Sequence, residues 1–328
     1  MLRFFDGFES QTVSEWTTQT GVFSLVAAGR LGGNAITVSG PCLSKTIDSQ
    51  ACWTVGFGFK PPRPDIAGVF LALMDGTTVQ VQLEFANTGT NIIIRNGSGA
   101  VLGMAAIPCE LGVWHYYELQ VVFNATAGSV ILKKDGATLT TLTGVPTIYS
   151  AHASADTLWL SSNNGNCVYD DIYMCDATGA LNTTFLGDCQ AVLFEPTQDG
   201  VHTAFVPSVG TSHYPMVDEI PADGDATYVA SSTVGAIDTY RTPTAATSGS
   251  VRGVKISMTA RKDNAGNRNV GFVFGDGVHA VTNLGAPIAL STDYERQVTA
   301  VMETNPLTSA AWTLADLKAD EFGVTVTA

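Results

Sequence analysis

Asp218, Glu219, Asp223 and Asp225 gather hard oxygen donors in one turn-rich stretch. Calcium takes roughly six to eight such oxygens, with backbone carbonyls completing the set. The spacing does not follow the EF-hand loop. A second reading has the aspartates and glycines shaping turns while Glu219 stays solvated. Calcium is the one cofactor these residues suggest. Asp170 and Asp171 are adjacent on an expected strand, so alternation sends their side chains to opposite faces. They cannot by themselves form the carboxylate pair of a retaining glycosidase, which needs a separation of roughly 5 Å. Their expected role is to cap one end of a sheet.

The five histidines, His115, His152, His202, His213 and His279, show no metal-ligand spacing. His202 and His213 share one irregular stretch, where they either meet or remain solvated. The chain has no GxSxG elbow and no Walker loop, and Gly56-Phe-Gly58 lies inside a strand, away from any strand-to-helix turn. These absences predict a non-enzymatic protein. The tryptophans Trp16, Trp53, Trp114, Trp159 and Trp312 are candidate sugar platforms wherever they are exposed. Trp53 and Trp159 sit in alternating strands and are expected in the core. Trp114, beside His115-Tyr116-Tyr117, is left open.

The elements that must position these residues are strands. Cys52–Phe59 and Val69–Met74 lead to turns at Pro61-Pro62 and Asp75-Gly76. Val79-Gln-Val-Gln-Leu-Glu-Phe85 alternates cleanly. Turns follow at Asn87–Thr90, Asn96-Gly97 and Asp135-Gly136. Such spacing is the signature of an antiparallel sandwich or barrel. Cys167–Met174 closes the first half. In the second half, strands are expected at Ala191–Phe194, Thr203–Val206, Tyr214–Val217, Tyr228–Ser231, Asp238–Arg241, Val254–Met258, Val270–Phe274, Tyr294–Glu303 and Phe322–Val326. Thr242–Ser250 reads as a loop. One helical turn, Thr313–Asp320, is capped by Thr313. Long helices do not alternate with the strands, which excludes a parallel α/β sheet.

The chain's 328 residues suggest two domains. Charged residues make up only 14% of it, and the net charge is −14. That sign repels phosphate backbones and anionic bilayers, so neither nucleic-acid binding nor membrane insertion is expected. The N-terminus lacks the pattern of a secretion signal, which points to synthesis in a cytoplasm. There Cys42, Cys52, Cys109, Cys167, Cys175 and Cys189 are expected as thiols.

Trp114-His-Tyr-Tyr-Glu-Leu-Gln-Val-Val-Phe123, Gly128–Gly136 and Asp170-Asp-Ile-Tyr173, with Phe5-Asp-Gly-Phe-Glu9, Trp16 and Gly29-Arg30, resemble the laminin-G and concanavalin-like jelly roll. In the second half, Leu186-Gly-Asp188, Pro196–Gly200, Tyr214–Glu219, Asp223-Gly-Asp225, Asp238-Thr-Tyr240, Ala260–Asp263 and Ala311–Leu317 resemble virion proteins of tailed bacteriophages. The fold expected is therefore all-β, with two consecutive antiparallel β-sandwich domains at 1–177 and 178–328. The resemblance implies a structural component on the virion surface, a capsid decoration or tail-associated protein made in the host cytoplasm. Its implied partners are other virion proteins, further copies of itself in a homo-oligomer such as a trimer, and host surface glycans. The alternative is a tail protein that binds or depolymerises polysaccharide.

Overall fold

The computed structural model describes residues 1–61, 68–86, 91–107, 110, 112–162, 166–243, 248–278 and 281–328. Pro62, the Asn87–Thr90 turn, Cys109, His279 and the centre of the Thr242–Ser250 loop lie outside the described residues. The fold is all-β: among the described residues strands dominate, and the one α-helix is short, Leu314–Ala319. The chain divides into two compact units, Met1–Val192 and Leu193–Ala328. No helix is long and apolar enough to cross a membrane among the described residues.

The first unit is a sandwich of two antiparallel sheets. One sheet runs Ala137–Val145, Gly128–Lys134, His115–Val122, Cys52–Lys60, Cys167–Asp176, Ala35–Ser39 and Val22–Val26, and Leu2–Asp6 also pairs with Cys167–Asp176. The other, seven-stranded, runs Val101–Ala106, Asn91–Asn96, Thr78–Phe85, Gly68–Asp75, Ala155–Leu160, Leu43–Gln50 and Thr18–Gln19. Alternation drives the stacking, since every second side chain of a strand faces the partner sheet. Phe57 and Phe59 of the first sheet meet Phe70 of the second, and Phe59 also meets Phe85, with Phe59 and Phe70 ring centroids 5.0 Å apart. Two core hydrogen bonds tie the layers: Trp53 Nε1 donates to the Ala155 carbonyl at 2.7 Å and Tyr169 Oη to that of Phe70 at 2.6 Å.

Asp-Gly turns set the hairpins. Asp135 (φ 49°) and Gly136 (φ 79°) both take positive φ, the combination a type I′ turn needs to match strand twist. The strand Cys167–Asp176 departs from simple alternation. Its register slips between Asp170 and Tyr173, and Asp171 adopts φ 50°. The expected opposite orientation of Asp170 and Asp171 therefore fails, because a left-handed residue at a bulge resets the side-chain period.

The second unit carries a five-stranded antiparallel sheet in the order Gln198–Thr203, Ile237–Arg241, Glu321–Val326, Asn269–Gly275 and Thr282–Ala289. Val206–Pro207 pairs with Val229–Ala230, and Ser257–Ala260 with Glu295–Val298. Phe274, Trp312 and Leu317 centre a small core, with Phe322 packed against it. Several strand expectations change here. Ala191–Phe194 holds no strand, and Thr203–Val206 is a break between the strands Gln198–Thr203 and Val206–Pro207. Tyr228–Ser231 shortens to Val229–Ala230, Val254–Met258 gives way to Ser257–Ala260, Tyr294–Glu303 shortens to Glu295–Val298, and Tyr214–Met216 is a 3₁₀ turn. Pro215 explains the last, because its fixed φ and missing N–H suit the first turn of a helix better than a sheet. The helix Leu314–Ala319 forms where expected. Thr313 Oγ1 accepts from the Asp316 N–H and the Asp316 carboxylate accepts from the Thr313 N–H, a reciprocal capping box.

Candidate functional site

In the strand Ala155–Leu160, Leu158 and Leu160 are fully buried between the sheets, which turns Trp159 to the outer face of the seven-stranded sheet. The expectation that both Trp53 and Trp159 are core residues thus holds for Trp53 alone. Trp53 is fully buried; Trp159 is half-buried. The clue was in the sequence, since leucines on both sides of Trp159 cannot face inward together with it.

Trp159 keeps part of its surface exposed on this face. Its register partners are Ser44 on one neighbouring strand and the fully buried Ala72 on the other, both small side chains. The same row continues through Gln82 to Arg95, and each of these lies between two buried inward-facing residues. Three strand spacings from Trp159 to Arg95 cover about 14 Å. The adjacent row holds Glu84, Ile93 and Met104, the last 60% exposed. On the other side of Trp159, Thr46 and Thr157 share a hydroxyl contact of 2.9 Å. Trp16, Trp53 and Trp312 each donate their indole N–H to a protein acceptor, whereas among the described residues Trp159 does not. Its donor is available to a ligand. The face thus joins one open aromatic surface to amide, hydroxyl and charged groups, which is the composition of a ligand-binding site. Trp114 has another neighbour: the Lys60 ammonium lies 4.9 Å from its ring centroid.

The outer face of the eight-stranded sheet is occupied by the chain's own residues. Arg30 bonds Asp171 Oδ2 through Nε (3.0 Å) and Nη2 (2.9 Å), pairs with Asp188 at 2.7 Å, donates to the Cys189 carbonyl at 2.6 Å and lies 4.7 Å from the Tyr116 ring centroid. Asp170 accepts the Arg30 backbone N–H at 2.7 Å, so the bulge brings both carboxylates to one arginine. Burial pushes the Asp170 carboxyl up to about 7, with the neighbouring Asp171 charge adding to the shift, and burial also raises Asp171 itself. Burial likewise raises Glu9, whose carboxylate accepts from the Asn34 N–H. Tyr173 donates to Glu118 at 2.5 Å, and Glu118 also accepts the Gly187 N–H at 2.9 Å. Burial drives the Tyr173 hydroxyl far above its ordinary value and the Cys175 thiol up to about 12. Cys42, Cys52 and Cys175 are free thiols. Every group here has an internal partner, so the network anchors residues 186–191 to the sheet.

The four acidic residues singled out as calcium candidates fall into separate arrangements. Asp225 pairs with Arg261 at 2.8 Å and accepts from the Tyr294 hydroxyl at 2.8 Å. Glu219 and Asp223 both lie within hydrogen-bond distance of the Thr227 hydroxyl. Asp218 is half-buried beside Glu219. Among the described residues, no group of three or more His, Cys, Asp or Glu is arranged to hold a metal ion. His213 finds a carboxylate instead of His202: its Nδ1 lies 2.7 Å from Oδ2 of the fully buried Asp238, which also accepts from Tyr240. His115 and His152 likewise sit 2.7 and 2.8 Å from Asp135 and Asp75. Sequence spacing could not show these pairs, because they join distant strands.

No family model matches the chain. No curated protein matches it either. Among solved structures it is similar to an endo-β-1,4-glucuronan lyase from the fungus Trichoderma reesei, at 12% identity over 53% of this chain and 95% of that one, with a TM-score of 0.40. The alginate lyase Aly36B is similar at 10% identity over 44% of this chain and 80% of that one, with a TM-score of 0.30. A protein of unknown function with a galectin-like fold from Bacillus subtilis is similar at 12% identity over 53% and 94%, with a TM-score of 0.39. The expectation of a non-enzymatic protein is corrected by the lyases among these structures. The motif absences behind that expectation concern hydrolase elbows and nucleotide loops. They do not bear on chemistry carried by side chains spread over a sheet, and a sandwich fold accommodates binding and cleavage alike.

Proposed function

We propose that the protein binds glycan chains across the outer face of its seven-stranded sheet, as a surface component of a tailed-phage particle. The observation that carries the binding reading is Trp159, half-buried on the outer face of an interior strand of the antiparallel sheet and flanked in register by Ser44 and Ala72. A pyranose ring presents C–H groups on its faces and hydroxyls at its rim. The indole takes the face, and Gln82, Ser44 and the indole N–H take the rim. The row from Trp159 to Arg95 is long enough for a short oligosaccharide lying across the strands. The particle reading, with docking to other virion proteins and to further copies of the chain, is supported by the sequence resemblance of the second half.

Titrating purified protein with a panel of neutral and acidic polysaccharides tests the binding reading. Trp159→Ala is expected to weaken binding about tenfold or more, the scale of one lost aromatic contact with its buried area, and cooperative thermal unfolding shows that the variant is folded. Unchanged binding in this variant removes the face from the proposal. The same incubations report cleavage through released oligosaccharides. Cryo-electron microscopy of particles produced with the tagged protein tests the virion reading, which fails if purified particles lack it.

A further inference from the structure

We infer that the face around Trp159 selects uncharged glycan chains and discriminates against uronate polymers; this rests on the binding reading above. The inference comes from the state of the one basic side chain in the Trp159 row. Arg95 Nε donates to Glu84 Oε1 at 2.8 Å, and Arg95 Nη1 donates to the Gly99 carbonyl at 2.9 Å. Both side chains are largely withdrawn from water, with Arg95 27% and Glu84 17% exposed. An arginine placed to receive a carboxylate ligand presents its fork unpaired, because the bidentate match to a carboxylate is its main source of specificity. Here a carboxylate of the chain itself already takes the Nε of that fork, and the Gly99 carbonyl takes Nη1.

A uronate approaching Arg95 must therefore displace Glu84 or accept a position beside it. Displacement leaves a half-buried carboxylate without its partner, and coexistence sets two like charges side by side. The field of the whole chain acts in the same direction, with a net charge of −14. A neutral chain meets neither penalty. Its hydroxyls donate to Glu84 and accept from the remaining Arg95 N–H groups, and the ion pair stays intact. Selection here works through repulsion of the wrong ligand as much as attraction of the right one.

The test measures affinities for mixed-linkage glucan oligosaccharides and for alginate oligosaccharides at low and moderate salt, in the parent protein and in Glu84→Gln, Trp159→Ala and their combination. The parent is expected to hold the glucan at least about tenfold more tightly than the alginate. Glu84→Gln frees the Arg95 fork and is expected to shift the alginate-to-glucan affinity ratio about tenfold toward alginate, the scale of one charge-assisted hydrogen bond. An unchanged melting temperature shows that the variant is folded. Equal affinity of the parent for both chains, lost in Trp159→Ala, overturns the selectivity and leaves the platform standing. A ratio unmoved by Glu84→Gln also overturns it. Binding of glucan that survives Trp159→Ala overturns the platform, and this inference with it, as does failure of the parent to bind either chain.

Discussion

Trp53 and Trp159 show how one residue type divides between stability and recognition according to which side of a sheet it meets. Trp53 is fully buried, with its N–H satisfied by the Ala155 carbonyl. Trp53→Ala is expected to cost about 3–5 kcal/mol, measured as a shift in urea midpoint; the same change at the half-buried Trp159 is expected to shift that midpoint less. Arg30 is the keystone of the buried polar network. With its side chain 7% exposed and that of Asp171 3% exposed, Arg30→Met strands a buried carboxylate, and a loss of about 3–5 kcal/mol is expected. Asp170 adds a pH dependence. Its folded-state pKa is raised to about 7 from the ordinary 3.8, so the folded protein holds a proton that the unfolded chain has already released. The stabilisation is complete below 3.8, declines as pH rises, and is gone above about 7. Urea midpoints are therefore expected to fall across this window, less steeply in Asp170→Asn. An equal slope in both proteins would assign the titration elsewhere.

At the level of elements, the strand Cys52–Lys60 shows why glycine recurs inside a core strand. Trp53, Val55, Phe57 and Phe59 fill the inter-sheet space, and the opposite side of Gly56 is taken by the Tyr173 ring. A Cβ at Gly56 would lie only 2.0 Å from a Tyr173 ring carbon. Tyr173 cannot retreat without breaking its bonds to Glu118 and the Leu186 N–H. Gly56→Ala is thus expected to destabilise the first unit by about 1–3 kcal/mol, the usual range for overpacking, read by thermal unfolding. The opposite case is the helix Leu314–Ala319, whose Thr313 cap is local and exposed. Thr313→Ala is expected to cost about 1 kcal/mol. Local elements of this kind were legible in the sequence. The Asp-Gly hairpins and the capping box each depend on a few consecutive residues. The 3₁₀ turn at Tyr214–Met216 replaces the short strand expected over Tyr214–Val217, because Pro215 restricts the backbone there.

For the molecule as a whole, the division falls at Val192, beyond the position 177 to which composition pointed. Leu186, Gly187 and Ala191 donate backbone N–H groups to Tyr173, Glu118 and Asp171, and Arg30 holds the Cys189 carbonyl. These residues complete the first sandwich. A fragment of residues 1–192 is expected to unfold cooperatively at a higher temperature than a fragment of residues 1–177, because the shorter one leaves Arg30, Glu118 and Tyr173 with unpaired partners. Equal melting temperatures would show that the strap contributes nothing.

Fold class, the strand pattern and the turns of the first unit followed from the sequence, because each rests on side-chain alternation or on backbone preferences within a few residues. The site did not. Alternation separates a strand's two faces but does not tell which face is covered, and here the covering groups come from far along the chain: Arg30 reaches Asp171 across 141 positions and Gly187 reaches Glu118 across 69. Only tertiary packing decided that the outer side of the eight-stranded sheet is filled by the chain itself. The same packing gave Arg95 its carboxylate and left Trp159 partly exposed between a serine and an alanine.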